Sequence, residues 1–400
     1  GLESGSTGAS SSSGAALDAT SSTTEAVASS ATDGSSTSVE SSGGSTSGGI
    51  TGCGPQMLCH VGPGTLALGL DQPTALTVAD IDADGHLDVV VAITNGNAVA
   101  VLLGDGTGAF GEPIAAAAGT LPVAVATADV NGDGNLDVIT GNRESDDVSV
   151  MLGLGTGLLT PPVAFPVGNR VEAVTLADLD GDGDHELVAA ARDDDELTVM
   201  LGGPEATFVP TMQYPTQSRP ISIALGLIDA DSALDLVVAN QDTDDVHVRL
   251  GNGLAGFGEA LELSAGDHPT AVALGDLDGN GGLDLVVACD TGSDVVVRLA
   301  DGRGGFLPEQ GLSAGTRTND VLVEDLDEDG ALDLAVANLD SDDVVVLLGD
   351  GVGGFAPPVA FETNTGISAV ATGDLNEDGV SDLVATLPAT DRLALILSAP

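Results

Sequence analysis

Asp325-Leu326-Asp327-Glu328-Asp329-Gly330-Ala331-Leu332-Asp333 is one of seven copies of a nine-residue pattern, and its reading decides the fold. The other copies begin at Asp80, Asp129, Asp178, Leu227, Asp276 and Asp374, so each lies 49 residues from the next. Seven such units run from about Leu58 to Pro400. A fixed period of roughly 40–50 residues marks propellers and related arrays. Within the pattern, acidic or amide oxygens fall at positions 1, 3 and 5, a glycine at 6 and a carboxylate at 9. That is the chemistry of a hard cation, because calcium takes six to eight oxygens and alternate residues of a tight loop can aim theirs inward. The glycine permits a sharp turn at positive φ. Position 7 would add only its backbone carbonyl, so its side chain is free to vary, and it runs through His86, Asn135, Asp184, Gly282, Ala331 and Val380. The closing acid comes sooner than in an EF-hand and the flanks read as strands, which points to a calcium loop carried on a hairpin.

Each repeat reads as four short strands. In the first, residues 74–79 lead into the acidic loop and 87–93 follow as an unbroken, β-branched run. Asn95-Gly96 turns the chain into 98–103, and Gly104-Asp105-Gly106 turns it into a last strand around 110–117. Runs apolar on both faces suit sheets stacked on sheets, and no segment has helical period. Four antiparallel strands, seven times, predict an all-β, seven-bladed propeller. The last repeat stops after its third strand. Shifting the register by one period places Val61 opposite the Phe110 position, so residues 65–68 are expected to return as the outer strand of the seventh blade and close the ring.

The formal charge is −53, with 62 acidic residues against nine basic ones, all of them arginine. Such a field repels nucleic acid and anionic membrane, and it strains the fold unless cations neutralise it. No run of 18 apolar residues exists, so no membrane span is expected. Residues 1–57 are rich in Ser, Thr, Gly and Ala, too polar to offset their ordering entropy, and read as a flexible stalk ahead of a propeller at 58–400. Cys53 and Cys59 are expected to form a local disulfide rather than a metal pair with His60, placed where it could pin the closing strand. Cys289 ends an apolar run and reads as a buried free thiol. Together these features point to an extracellular or cell-surface, monomeric protein.

The repeated acidic loop, the apolar strands after it and the Gly-Asp-Gly-x-Gly-x-Phe turn resemble the FG-GAP/VCBS repeat family, which includes the β-propeller of integrin α-subunits. Phe110-Gly111 and Phe257-Gly258 stand at that family's Phe-Gly position. Val238-Ala239-Asn240 and Val336-Ala337-Asn338 replace its Gly-Ala-Pro half, and no insertion interrupts the period, so the chain is more similar to a bacterial VCBS-type propeller than to an integrin. The resemblance implies calcium ligands by position. Blade 1 would offer Asp80, Asp82, Asp84, the His86 carbonyl and Asp88; blade 2 would offer Asp129, Asn131, Asp133, the Asn135 carbonyl and Asp137. Blade 3 would use Asp178, Asp180, Asp182, the Asp184 carbonyl and Glu186; blade 5 would use Asp276, Asp278, Asn280, the Gly282 carbonyl and Asp284. Blade 6 would supply Asp325, Asp327, Asp329, the Ala331 carbonyl and Asp333; blade 7 would supply Asp374, Asn376, Asp378, the Val380 carbonyl and Asp382. Blade 4 breaks the rule twice, with Leu227 at position 1 and Ser232 in place of glycine, so six ions and an empty fourth blade are expected.

Alternating strand direction puts the acidic loops on one rim and the second-to-third-strand turns on the other. That other rim carries an arc of cations and a ring of acids: Asp146-Asp147, Asp194-Asp195-Glu196, Asp244-Asp245, Asp294, Asp342-Asp343 and Asp391. Arg170, Arg219, His268 and Arg317 each stand eight residues before position 1 of their loop, with Arg143 and Arg192 in a second register nearby. Guanidinium forks suit carboxylates, so the arc is a candidate site for an anionic ligand, a glycan or protein. The residues read as a calcium-stiffened binding or adhesion module. A spacer without specific ligand is the alternative. A hydrolase or lyase is a weaker one, because His60, His86, His185, His247 and His268 fall in unrelated registers and no nucleophile motif is present.

Overall fold

The computed structural model describes residues 63–229, 231–292, 294–301 and 304–398. Val-, Ala- and Ile-rich runs alternate with turn residues, and each repeat accordingly becomes one four-stranded antiparallel sheet. Blade 1 consists of Pro73–Ala79, Asp88–Ile93, Ala98–Leu102 and Ile114–Ala117. Its second strand is buried end to end, which suits β-branched residues covered on both faces. The fourth strand starts later than the sequence suggested. Phe110 makes only an isolated bridge to Gly104, and Pro113, which has no N–H to give a ladder, precedes the strand.

First strands of neighbouring blades touch one another all the way round, so they line the axis and close the ring in seven steps. In blades 1 to 6 each of these strands carries a bulge near its start, just after the first residue in five of them and after Pro269 in blade 5. Ring closure falls in blade 7, where Gly64–Ala67 pairs antiparallel with Arg392–Ile396, Gly64 opposite Leu395 and Ala67 opposite Arg392. The expected closing strand at 65–68 is thus found one residue earlier. Val61, His60, the Cys53–Cys59 pair and the stalk at 1–57 lie outside the described residues.

The core is not one central mass but a set of layers, one at each seam. Seven buried clusters each draw on two adjacent blades; Val89 and Val91 of blade 1, for example, pack with Ala371, Val384 and Leu393 of blade 7. Fully burying each Val or Leu contributes roughly 1.5–3 kcal/mol, so the seams hold the ring while the turns are left free to carry chemistry. Cys289 is a buried free thiol, and burial pushes its pKa up to about 12. Among the described residues no helix is long and apolar enough to cross a membrane.

Candidate metal loops and the opposite rim

The acidic loops sit between the first and second strands of each blade. In blade 1 the position-1 carboxylate organises the turn: Asp80 Oδ1 accepts the N–H of Asp84 at 3.1 Å and Oδ2 that of Gly85 at 3.0 Å. Blades 2, 5, 6 and 7 repeat both bonds. The position-6 glycines adopt φ between 87° and 96°, as the sequence required. Position 4 is left-handed as well, including the non-glycine residues Ala83, Glu328 and Glu377 at φ 58°, 57° and 55°. Sequence reasoning missed this, although Gly132, Gly181 and Gly279 in the same register were a signal for it.

Position 9 does a second job. Both oxygens of Asp88 accept backbone N–H groups, from Ile81 inside the loop and from Gly104 at the turn after the third strand, each at 2.8 Å. All seven blades carry the same staple, including blade 4, where Asp235 takes the N–H groups of Ile228 and Gly251. The closing acid alone therefore says nothing about a metal; positions 1 and 3 do. Asp80, Asp82 and Asp88 bring carboxylate oxygens within 4.8 Å of one another, as do Asp178, Asp180 and Glu186, then Asp276, Asp278 and Asp284, then Asp325, Asp327 and Asp333. Blades 2 and 7 place an amide at position 3, and the oxygens of Asn131 and Asn376 face the position-5 N–H at 2.8 and 2.9 Å.

Burial pushes the closing acids upward against the pull of their N–H partners. Asp88, Asp137 and Asp284 reach about 6 and Asp333 about 7, and Glu186, Asp235 and Asp382 move the same way for the same reason. Three carboxylates gathered around a half-desolvated pocket call for a cation. The donors are all oxygen, with no imidazole or thiolate, so the set fits Ca²⁺ or another hard ion and not zinc or copper. Blade 4 lacks the position-1 acid, and its loop is held by Asp229 and Asp231 accepting the N–H groups two residues on, at 2.9 and 2.8 Å.

The two seams flanking blade 4 carry unusual ties. Arg249 reaches from the third strand of blade 4 to the Pro215 carbonyl of blade 3 at 2.7 Å, under the ring of Tyr214. Arg298, one period later, reaches the Ser264 carbonyl of blade 4 at 2.8 Å and Glu309 at 2.7 Å. Other blades have Leu102, Met151, Met200, Leu347 and Ile396 in this register.

On the opposite rim four of the acids, with Asn97 in the same register, latch one blade to the next. Asn97, Asp146, Asp195, Asp244 and Asp391 occupy left-handed turn positions at φ 48–58°, which short Asn and Asp side chains tolerate. Each accepts the backbone N–H of the residue that leads into the next blade: Leu121, Arg170, Arg219, His268 and, across the closure, Gln72, at 2.8–2.9 Å. The expected cation arc lies where the first strands begin, but its members already face carboxylates of the chain. Arg219 pairs with Asp242 at 2.8 Å, Arg317 lies 3.3 Å from Asp290 and 3.4 Å from Asp340, and His268 is 3.8 Å from Asp244. Arg170 instead joins Arg143 and Arg192 around the buried Glu172.

A ring of seven sheets with acid-rich loops on one rim defines a β-propeller, and four of its loops gather carboxylates that could hold a metal ion. FG-GAP-like repeats match residues 80–140, 130–189, 228–287, 276–336 and 325–385, and the chain belongs to the FG-GAP-like repeat family. No curated protein matches the sequence. Among solved structures it is similar to an Agrocybe aegerita lectin described as recognising non-reducing terminal N-acetylglucosamine, at 20% identity and TM-score 0.53 over 79% of this chain and 86% of that one. It is also similar to BBS1N solved with ARL6DN, at 12% identity and TM-score 0.61 over 85% and 97%. A third likeness, to catalytically inactive virginiamycin B lyase from Staphylococcus aureus with quinupristin, has 11% identity and TM-score 0.57 over 84% and 99%. At these identities the likenesses establish the fold alone.

Proposed function

We propose that this chain is a calcium-stiffened propeller that works as a binding module outside the cell, held there or at the cell surface by its polar N-terminal segment. The observation that carries the reading is the convergence of acid triads in register along one rim. In this reading six loops take Ca²⁺ structurally, in blades 1, 2, 3, 5, 6 and 7, returning about +12 to a chain of formal charge −53. The ions stiffen the ring, and the opposite rim, with its turns and channel mouth, meets a glycan or protein ligand. Binding is favoured over catalysis because His86, His185, His247 and His268 lie in different registers and blades, and His247 is buried with neither ring nitrogen hydrogen-bonded.

The test is binding of the full chain to glycan and surface-protein arrays, in about 1 mM Ca²⁺ and again with chelator. The reading expects a defined set of ligands in Ca²⁺ that is lost on chelation. A protein that is calcium-loaded yet binds nothing is a spacer, and this proposal then fails.

A further inference from the structure

Three of the chain's nine basic residues meet at one carboxylate. Glu172 occupies the bulge position of the first strand of blade 3, where the other blades have Thr74, Val123, Ile221, Thr270, Asn319 and Ser368. A bulge re-aims its side chain, and here the Glu172 side chain is only 2% exposed. Arg143 comes from blade 2 and donates through Nη2 and Nε to Oε2 at 2.5 and 3.2 Å. Arg192 donates through Nη1 to Oε1 at 3.0 Å, and Arg170 through Nε to the same oxygen at 3.3 Å. The backbone fixes where all three start: the N–H of Arg143 is bonded to the Leu121 carbonyl, that of Arg192 to the Arg170 carbonyl, and that of Arg170 to Asp146.

One glutamate balances one of these charges, so the cluster carries a surplus of two. A guanidinium has five N–H donors, and most of those here do not face Glu172. The Nε of Arg192 is buried with no partner, while the side chains of Arg143 and Arg170 remain 31% and 36% exposed. Surplus charge that is partly desolvated, as at Arg192, is costly unless an anion shares it. The neighbouring acids limit what that anion can be. Asp146 Oδ1 accepts the Arg170 N–H, and Asp194 accepts two donors from Asn169, each at 2.7 Å. Their free lone pairs repel a bare dianion and welcome hydroxyl donors. More distant acids are screened beyond about 8 Å at physiological salt.

We infer that Arg143, Arg170 and Arg192 form a site at the channel mouth for the anionic group of an acidic saccharide, a carboxylate or sulfate whose sugar hydroxyls meet the surrounding acids. This deepens the binding-module reading and rests on it, but the site needs no calcium ligand.

The test is calorimetric titration of the full, calcium-saturated chain at about 0.15 M salt, where distant acids are screened, with D-glucuronate, D-glucose 6-sulfate and D-glucose. The expected result is saturable binding of one or both anionic sugars, which identifies the preferred group, and none of glucose. Arg170→Gln should weaken it about tenfold or more, the scale of one lost charge-assisted fork. That variant suits the backbone, because Gln72 holds the same register at φ 65° where Arg170 has φ 60°. Glu172→Gln should tighten binding, since it frees three guanidiniums; if that variant does not fold, Arg170→Gln alone decides. Absence of saturable binding by either anionic sugar overturns the inference, as does Arg170→Gln binding both like the wild type. Neither result touches the calcium loops, and array binding that persists after both would place the ligand elsewhere on the rim.

Discussion

Replacing Asp276 with alanine separates what the acidic loop does for the backbone from what it does for a metal. Asp276 Oδ1 accepts the N–H of Asn280 at 3.0 Å and Oδ2 that of Gly281 at 2.9 Å, and its carboxylate is one of three within 4.8 Å of one another. Two exposed hydrogen bonds at a net of about 1 kcal/mol each put the metal-free loss near 2 kcal/mol. If free Ca²⁺ exceeds the dissociation constant ten- to a hundredfold, the vanished site removes roughly 1.4–2.7 kcal/mol more. Asp276→Ala should therefore lose about 3–5 kcal/mol in Ca²⁺ but only about 2 in chelator, read from urea unfolding monitored by circular dichroism. Equal losses in the two buffers would refute the metal role of this loop. Asp235→Ala in blade 4 is the matched control. It strands the N–H groups of Ile228, Asp229 and Gly251, and it should cost about 3 kcal/mol or more with or without calcium.

Leu227→Asp combined with Ser232→Gly rebuilds the missing loop and should add one Ca²⁺ to the count in native mass spectrometry; an unchanged count would mean that blade 4 differs for another reason. Arg249→Met, which installs the residue found at Met151 and Met200, strands the Pro215 and Gly258 carbonyls and should cost about 1–3 kcal/mol in urea unfolding. Asp320 supplies a pH test. Burial raises it to about 6, so the folded chain favours its protonated form. Its contribution is full below about pH 4 and is lost as pH rises through about 6. The stability of Asp320→Asn relative to wild type should accordingly move in the variant's favour between pH 4 and 7. The change should be at most about 3 kcal/mol, two pKa units' worth, whatever fixed penalty the lost acceptor imposes. A flat difference across that range would rule out the shift.

Much of this molecule is legible in the sequence because it is written seven times. The 49-residue step places the loops, the glycines at position 6 and the strand returning to blade 7 without reference to any coordinate. What escaped is whatever depends on a neighbour across a seam. The register of the arginines was visible, but the contact of Arg249 with the Pro215 carbonyl spans 34 residues and two blades. Arg143 likewise meets Glu172 only across the seam between blades 2 and 3, 29 residues along the chain. The ring of acids was readable as a ring and not as a set of latches, since an aspartate bound to a backbone N–H looks no different in sequence from one facing water. In hindsight the informative positions are those that break the repeat: a glutamate where six blades have small polar or aliphatic residues, and an arginine where five have Leu, Met or Ile.

The central claim is that divalent ions on one rim hold a strongly anionic ring together, and calcium titration of the full chain by native mass spectrometry, paired with a thermal melt at each step, tests it most directly. The account predicts six ions bound and a melting temperature that climbs with occupancy and collapses in chelator. A chelator-stripped chain that takes up no Ca²⁺ and melts at the same temperature with or without it would contradict the account.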